Sequence, residues 1–244
     1  MNRRTPLLLG LVALATLFAF AVFWLASPTN DAVSLVFAPS SFAPVEAELD
    51  AGLAAAGIGP VEWAFAGSQT LVAQLVDGAP ADALITADLT TFDAARAANV
   101  TWPGEESIAS NVLVLAVAAG NPGDVRGLEA LEDADLVIGS CAVEVPCGRL
   151  ATAVTRALGV TPAPDTEETS ARALTAKLLA GEIDAALVYR SDARAAGLEV
   201  IPVDDLDAFV NEYRGSGNER GMEILRWLAS GAGKRILIDS GWGP

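Results

Sequence analysis

The sequence predicts an α/β protein in which strands and helices alternate along the chain. Short apolar runs rich in valine and alanine recur between turn residues, and longer segments with helix start and stop signals separate them. This alternation is typical of mainly parallel sheets that carry helices on both faces. The 244 residues are enough for one large domain or for two lobes, each of about a hundred residues.

Apolar runs bounded by Gly, Pro or polar residues predict strands at residues 33–38, 61–65, 83–86, 111–118, 136–139, 185–189 and 198–202. Helices are predicted at residues 44–56, 70–76, 89–98, 149–158, 170–180 and 220–230. Glu46 and Glu48 suit the first turns of the first helix, and Gly159 and Gly181 end two later ones. The last helix has an apolar stripe that includes Ile224.

Composition argues against several classes of function. Asp and Glu outnumber Lys and Arg by 31 to 15, which gives a net charge of −16 and leaves no basic stripe for nucleic acid. The chain has no histidine, which removes Ser-His-Asp and Cys-His catalysis and the commonest metal ligand. A hydrolase that uses Ser41 or Ser68 is disfavoured as well, because the chain has no Ser-x-x-Lys pattern. We therefore expect a protein that is not an enzyme and holds no cofactor and no bare metal cation.

The amino terminus predicts export. Residues 7–26 carry no charge and follow Arg3 and Arg4, and the next charged residue is Asp31. Such a run is long enough to cross a bilayer core of ~30 Å as a helix, with the arginines on the cytoplasmic side. A cleaved signal peptide is the alternative, and the sequence leaves both open. In either case residues 1–30 form an anchor or signal with a short linker, and the remaining chain is extracytoplasmic.

Cys141 and Cys147 are the two cysteines of the chain and lie six residues apart. In an exported protein such a local pair predicts a disulfide. The alternative is a pair of free thiols, which a reducing compartment would maintain.

Four predicted strand-to-helix junctions carry small or hydroxyl residues. They lie at Ser40-Ser41, Gly67-Ser68, Cys147-Gly148 and Ser170-Ala171. The first N–H groups of a helix lack internal partners and carry the positive end of the helix dipole, so they attract anions. Tyr189 ends a strand and adds a phenol donor. Together these residues predict an oxyanion site, although a serine at any single helix start is also an ordinary N-cap.

Charged residues near these junctions have two interpretations each. Arg149 and Arg172 lie at the start of predicted helices, where each either neutralises a bound anion or is simply solvated. Asp82 and Asp88 could suggest a carboxylate pair for acid–base chemistry. We expect them to cap turns instead, because a carboxylate in an anion site would repel the ligand.

Several segments resemble the periplasmic molybdate-binding proteins of ABC importers. They are residues 36–41 (VFAPSS), 65–71 (FAGSQTL), 78–82 (GAPAD), 85–88 (ITAD), 145–148 (VPCG), 187–193 (LVYRSDA) and 241–242 (GW), and the similarity runs from about residue 33 to residue 242. The resemblance implies a two-lobed periplasmic-binding-protein fold, type II-like, with a mainly parallel sheet flanked by helices in each lobe. A hinge would let the lobes close over one tetrahedral oxyanion. We expect residues 31–110 in the first lobe and 111–192 in the second, with residues 193–244 returning to the first.

Carried over position by position, the ligand set of that family falls on Ser41, Ser68, Cys147, Ala171 and Tyr189. The two serines and the tyrosine would donate through hydroxyl groups, and Cys147 and Ala171 through backbone N–H groups. Ser40 departs from the small alanine common in the family and competes with Ser41 as a donor. The segment from Cys141 to Cys147 is slightly longer than the family norm, so a disulfide would staple a longer loop.

The resemblance also implies the function. The chain would capture molybdate, or tungstate of nearly the same size, and deliver it to an ABC permease in the membrane as a monomer. Two alternatives stay open at this point. One is a binding protein for another tetrahedral oxyanion, such as sulfate or phosphate, and the other is an anchored sensor that binds the anion without transport.

Overall fold

The computed structural model describes residues 32–243. Within them the strands are β1 Ser34–Pro39, β2 Val61–Ala66, β3 Ala83–Thr86, β4 Glu106–Val117, β5 Ile138–Cys141, β6 Thr166–Glu168, β7 Ala185–Tyr189, β8 Glu199–Ile201 and β9 Val210–Gly217. The α-helices are α1 Glu46–Ala55, α2 Ser68–Val76, α3 Leu89–Ala97, α4 Pro146–Ala157, α5 Ala171–Ala180, α6 Arg190–Ala196, α7 Glu219–Ala229 and α8 Gly231–Asp239. Short 3-10 helices lie at Ser40–Val45, Leu128–Glu132 and Leu206–Ala208.

All of these strands belong to one mixed sheet with the order β2-β1-β3-β9-β4-β7-β5-β6, and β8 pairs with β4. The parallel pairs are β1 with β2 and β3, and β5 with β6 and β7. The antiparallel pairs are β3 with β9, and β4 with β7, β8 and β9. The predicted α/β class is confirmed, but the prediction of mainly parallel sheets is wrong, because every pair that includes β4 or β9 is antiparallel.

The long strand β4 connects the two ends of the sheet. Its first part pairs with β9, from Glu106 opposite Gly215 to Val112 opposite Val210. Its last part pairs with β7, from Leu113 to Val117. The sequence predicts this strand only from residue 111 onward, because residues 106–110 contain Glu106 and two serines.

Helices cover both faces of β1, because neighbouring residues on a strand point to opposite sides. Val36 packs in a cluster with Leu225 of α7, whereas Phe37 packs in another cluster with Leu71 of α2. We call β1–β3, β9, α1–α3, α7 and α8, which pack in these two clusters, the first half of the fold. A third cluster, which includes Leu174 of α5, holds β5, β7, β8 and α4–α6 together. We call these elements, with β6, which pairs with β5, the second half.

The chain passes from the first half to the second along β4 and returns at β9. Ala193 and Leu206 still belong to the cluster of the second half. The pairing of β9 with β3, from Arg214 opposite Thr86 to Gly217 opposite Ala83, brings the chain back to the first half. The division into lobes at residues 110 and 192 stays a prediction.

The predicted disulfide is present, since the Sγ atoms of Cys141 and Cys147 are 2.16 Å apart. It joins the end of β5 to the first turn of α4. No helix among residues 32–243 is long and apolar enough to cross a membrane. The predicted anchor or signal at residues 7–26 lies outside the described residues.

Candidate anion-binding site

A small cavity lies where β1 and β2 end and the next helices begin. It holds about 270 Å³ of empty space, part of which opens to solvent. The predicted donors all line it, and the full lining is Pro39, Ser40, Ser41, Ala66, Gly67, Ser68, Gln69, Ala87, Val145, Pro146, Cys147, Thr169, Ser170, Ala171 and Tyr189. The structure therefore brings the six predicted residues together, and their role as ligands stays a prediction.

Four helices begin at this cavity, and three of them have no side-chain cap. The residues before these three are Pro39, Gly67 and Val145, none of which has a side-chain acceptor. Only Ser170 caps its helix, since its Oγ accepts from the N–H of Ala173 at 3.2 Å. The ordinary N-cap interpretation thus holds for Ser170, and the other helix starts leave N–H groups for an acceptor in the cavity.

The two predicted serines are buried, with 3% and 1% of their surfaces exposed for Ser41 and Ser68. The Oγ of Ser68 accepts from the N–H of Ala87 at 3.0 Å. A hydroxyl that accepts one bond still has its own proton to donate, so Ser68 can donate into the cavity. The Oγ of Ser41 lies 3.1 Å from the phenol oxygen of Tyr213, and either group can donate.

Tyr189 is held by a neighbouring amide. Its phenol oxygen accepts from Nδ2 of Asn211 at 2.7 Å, and that Nδ2 also donates to the carbonyl oxygen of Pro146 at 3.1 Å. Burial raises the pKa of Tyr189 well above its ordinary value, and burial raises that of Tyr213 too. Both phenols are therefore neutral donors throughout the physiological range of pH.

The backbone donors lie at the starts of α4 and α5. Pro146 is the first residue of α4 and has no N–H, so Cys147 provides the first one. Gly148 lets this turn approach the preceding loop, because a Cβ there would overlap the carbonyl oxygen of Ala142. Ala171 is the first residue of α5. Neither N–H donates to another residue within 32–243.

The described residues that line the cavity include no charged side chain. The field in the cavity comes from helix ends, each equivalent to roughly +0.5 charge. Neither interpretation of Arg149 describes the structure. Arg149 is not among the residues that line the cavity, and its guanidinium pairs with Asp88 instead of being simply solvated. Asp88 caps α3, as predicted, by accepting from the N–H of Thr91 at 2.8 Å.

Three residues of the site were missed from the sequence. Asn211 and Tyr213, which hold Tyr189 and Ser41, lie in β9, a strand that was not predicted. No local pattern marks this strand, because its charged and glycine residues resemble a turn. Gln69 follows Ser68 in α2, and its Nε2 donates to the carbonyl oxygen of Thr169 at 3.0 Å, across the cavity.

A family model described as bacterial extracellular solute-binding protein matches residues 35–243. The chain belongs to this family. The molybdate-binding proteins ModA of Mycobacterium bovis and Mycobacterium tuberculosis are each 33% identical to this solute-binding protein over 227 residues, which cover 89% of this chain and 87% of theirs. The resemblance that the sequence motifs indicate is thereby confirmed.

Solved structures agree on the fold of this solute-binding protein. The periplasmic molybdate-binding protein of Azotobacter vinelandii has a TM-score of 0.73 at 17% identity, over 86% of this chain and 99% of that one. The sulfate-binding protein SubI of Mycobacterium tuberculosis has a TM-score of 0.70 at 14% identity, over 87% of this chain and 86% of that one.

Proposed function

We propose that this chain is the extracytoplasmic solute-binding protein of an ABC importer and captures molybdate for delivery to the membrane permease. The proposal depends on one observation, which is that a single small cavity is lined by uncharged donors. These donors are backbone N–H groups at helix starts and the hydroxyl groups of two serines and a tyrosine. Such a site stabilises a dianion by fixed dipoles and hydrogen bonds. It binds and releases its solute without changing it chemically.

The proposed ligand set is Ser41, Ser68 and Tyr189 through their hydroxyl groups, and Cys147 and Ala171 through their N–H groups, with Ser40 as an additional donor. These donors approach the cavity from both halves of the fold. A tetrahedral oxyanion, with acceptor oxygens in four directions, matches that arrangement.

The choice of molybdate follows from size and from the relatives. Sulfate has shorter bonds to its oxygens, so donors spaced for molybdate would be left unmet around it, which is costly for buried groups. Phosphate at neutral pH carries a proton that needs an acceptor, and none of the described residues that line the cavity has a carboxylate side chain. The name of the relatives at 33% identity also supports molybdate. Tungstate is nearly the same size, and we expect it to bind as well.

We propose that the two halves are lobes that move as rigid bodies. The polypeptide crosses between them in β4 and near the start of β9, where Val112 and Val210 are opposite each other. A hinge there would open the cavity, and closure would exclude water from the bound anion. This is a type II-like arrangement, with the return to the first lobe at β9. Residues 1–30 would export or anchor the protein.

Isothermal titration of the protein, purified as the cell exports it, tests the function. We expect tight binding of molybdate and tungstate and much weaker binding of sulfate and phosphate. Stabilisation against heat by the same anions should follow the same order. Tighter binding of sulfate or phosphate than of molybdate would refute the proposed solute, and binding of none of the four would refute an oxyanion-binding function.

A further inference from the structure

An ion pair joins the two halves of the fold beside the cavity. Arg149, in the first turn of α4, donates through Nε to Oδ2 of Asp88 at 2.8 Å, and its Nη2 lies 2.6 Å from the same oxygen. Asp88 precedes α3 in the first half. The side chains of Arg149 and Asp88 are 28% and 8% exposed, so water screens this pair less than a surface pair.

The remaining groups of both side chains are also engaged. Nη2 of Arg149 donates to Oγ1 of Thr91 at 2.7 Å, and its Nη1 donates to the carbonyl oxygen of Glu144. Oδ1 of Asp88 accepts from the N–H of Thr91. The guanidinium is thus held at a fixed place by two contacts from the first half and one from its own half.

The pair is connected to the proposed ligand donors on both sides. Ala87, next to Asp88, donates its N–H to the Oγ of Ser68 at 3.0 Å. Arg149 follows Cys147 by two residues in the same helical turn. An opening movement that separates Asp88 from Arg149 would therefore also separate Ser68 from Cys147.

We propose that Arg149 and Asp88 form a latch that holds the cavity closed and sets how long the anion stays bound, an inference that rests on the proposed function. When the halves separate, Asp88 stays with the first half and Arg149 keeps a free positive charge at the mouth of the cavity. In a chain with a net charge of −16, that local cation draws an incoming dianion to the site. Closure returns Arg149 to Asp88, so the closed site keeps only neutral donors.

Stopped-flow kinetics with molybdate test the latch. Asp88→Asn removes the charge but keeps an acceptor for the N–H of Thr91, so α3 remains capped. We expect it to raise koff about tenfold, or ~1.4 kcal/mol, without lowering kon. Arg149→Gln should raise koff similarly, but it should also lower kon and flatten the dependence of kon on ionic strength.

Two further variants make the result specific. The double variant D88N/R149Q should have the koff of the more affected single variant, because both changes break one interaction. Arg96→Gln is the matched control, since Arg96 pairs with Asp93 and Glu105 inside the first half. It should leave koff unchanged. An unchanged koff in D88N and R149Q, or additive effects in the double variant, would overturn the latch.

A measurement without ligand separates this inference from the proposed function. Ala97 in α3 and Ala153 in α4 are exposed, so each can be replaced by a cysteine that carries a spin label. The distance between the two labels then reports the separation of the halves. If the wild-type protein binds no oxyanion, the proposed function fails. The latch is then supported if D88N lengthens this distance, and overturned if the distance distributions are identical.

Discussion

Asn211 donates from its Nδ2 to the phenol oxygen of Tyr189 at 2.7 Å, across the boundary between the two halves of the fold. Because the phenol oxygen accepts this bond, the hydroxyl proton remains available to donate to another group. The same Nδ2 lies 3.1 Å from the carbonyl oxygen of Pro146 at the start of α4. A residue of β9 thereby orients the phenol donor and touches the helix that carries a proposed N–H donor.

Tyr189→Phe should weaken the binding of molybdate by about 1–3 kcal/mol, the cost of losing one hydrogen bond to a charged group. The aromatic ring remains, so its edge-to-face contact with Tyr213 is kept. Titration calorimetry gives the affinity, and thermal unfolding of the ligand-free protein checks that the fold survives. An affinity equal to that of the wild type would place the anion away from this phenol.

Ser68→Ala should weaken binding by a similar ~1–3 kcal/mol. It should also lower the unfolding temperature of the ligand-free protein, because the buried N–H of Ala87 loses its acceptor. Ser230→Ala is the matched control, since Ser230 is exposed and its Oγ donates to the carbonyl oxygen of Arg226 in its own helical turn. If both variants bind molybdate equally well, Ser68 is no ligand.

The cavity-lining positions could be predicted because they have local signals and because the family resemblance falls on the same residues. Ser41 and Ser68 lie in the first turn of a helix that follows a strand, and Cys147 lies beside a proline at a helix start. Tyr189 is the last residue of a fully buried apolar strand. Alternating strands and helices likewise gave the α/β class and most element positions, because those signals depend on neighbours in the sequence.

The hydrogen bonds that hold Tyr189 and Ser41 in place could not be predicted, because they come from residues of β9. This strand has the sequence VNEYRGSG, whose charged and glycine residues resemble a turn. It forms because β3 and β4 pair with it on either side, which no local pattern reveals. Asn211 and Tyr213 were therefore missed, and the antiparallel part of the sheet was missed with them.

Asp192 should make stability depend on pH. It is 3% exposed, its Oδ2 has no hydrogen-bond partner within residues 32–243, and burial raises its pKa from 3.8 to about 7 against the opposing charge of Arg172. The folded chain therefore holds this proton more tightly than the unfolded chain. The resulting stabilisation is complete below about pH 3.8 and is lost as the pH rises to about 7.

Asp192→Asn isolates that contribution, since it cannot titrate. Urea unfolding of both proteins between about pH 4 and pH 8 gives two curves of unfolding free energy. The unfolding free energy of the wild type should fall relative to that of the variant as the pH rises to about 7, and the difference should then level off. Parallel curves would show that Asp192 is already ionised in the folded protein at low pH.

Removing the disulfide should weaken anion binding without touching a proposed ligand group. The double variant C141A/C147A keeps the N–H of residue 147, but it frees the loop between β5 and α4. Because the disulfide closes a short loop, its removal should lower the free energy of unfolding by about 2 kcal/mol through chain entropy. The start of α4 should then be less ordered, which should lower the affinity for molybdate as well. Mass spectrometry of the exported wild type must first find no free thiol. Full affinity in the variant would mean that the helix start is ordered without the bond, since the donor itself is unchanged.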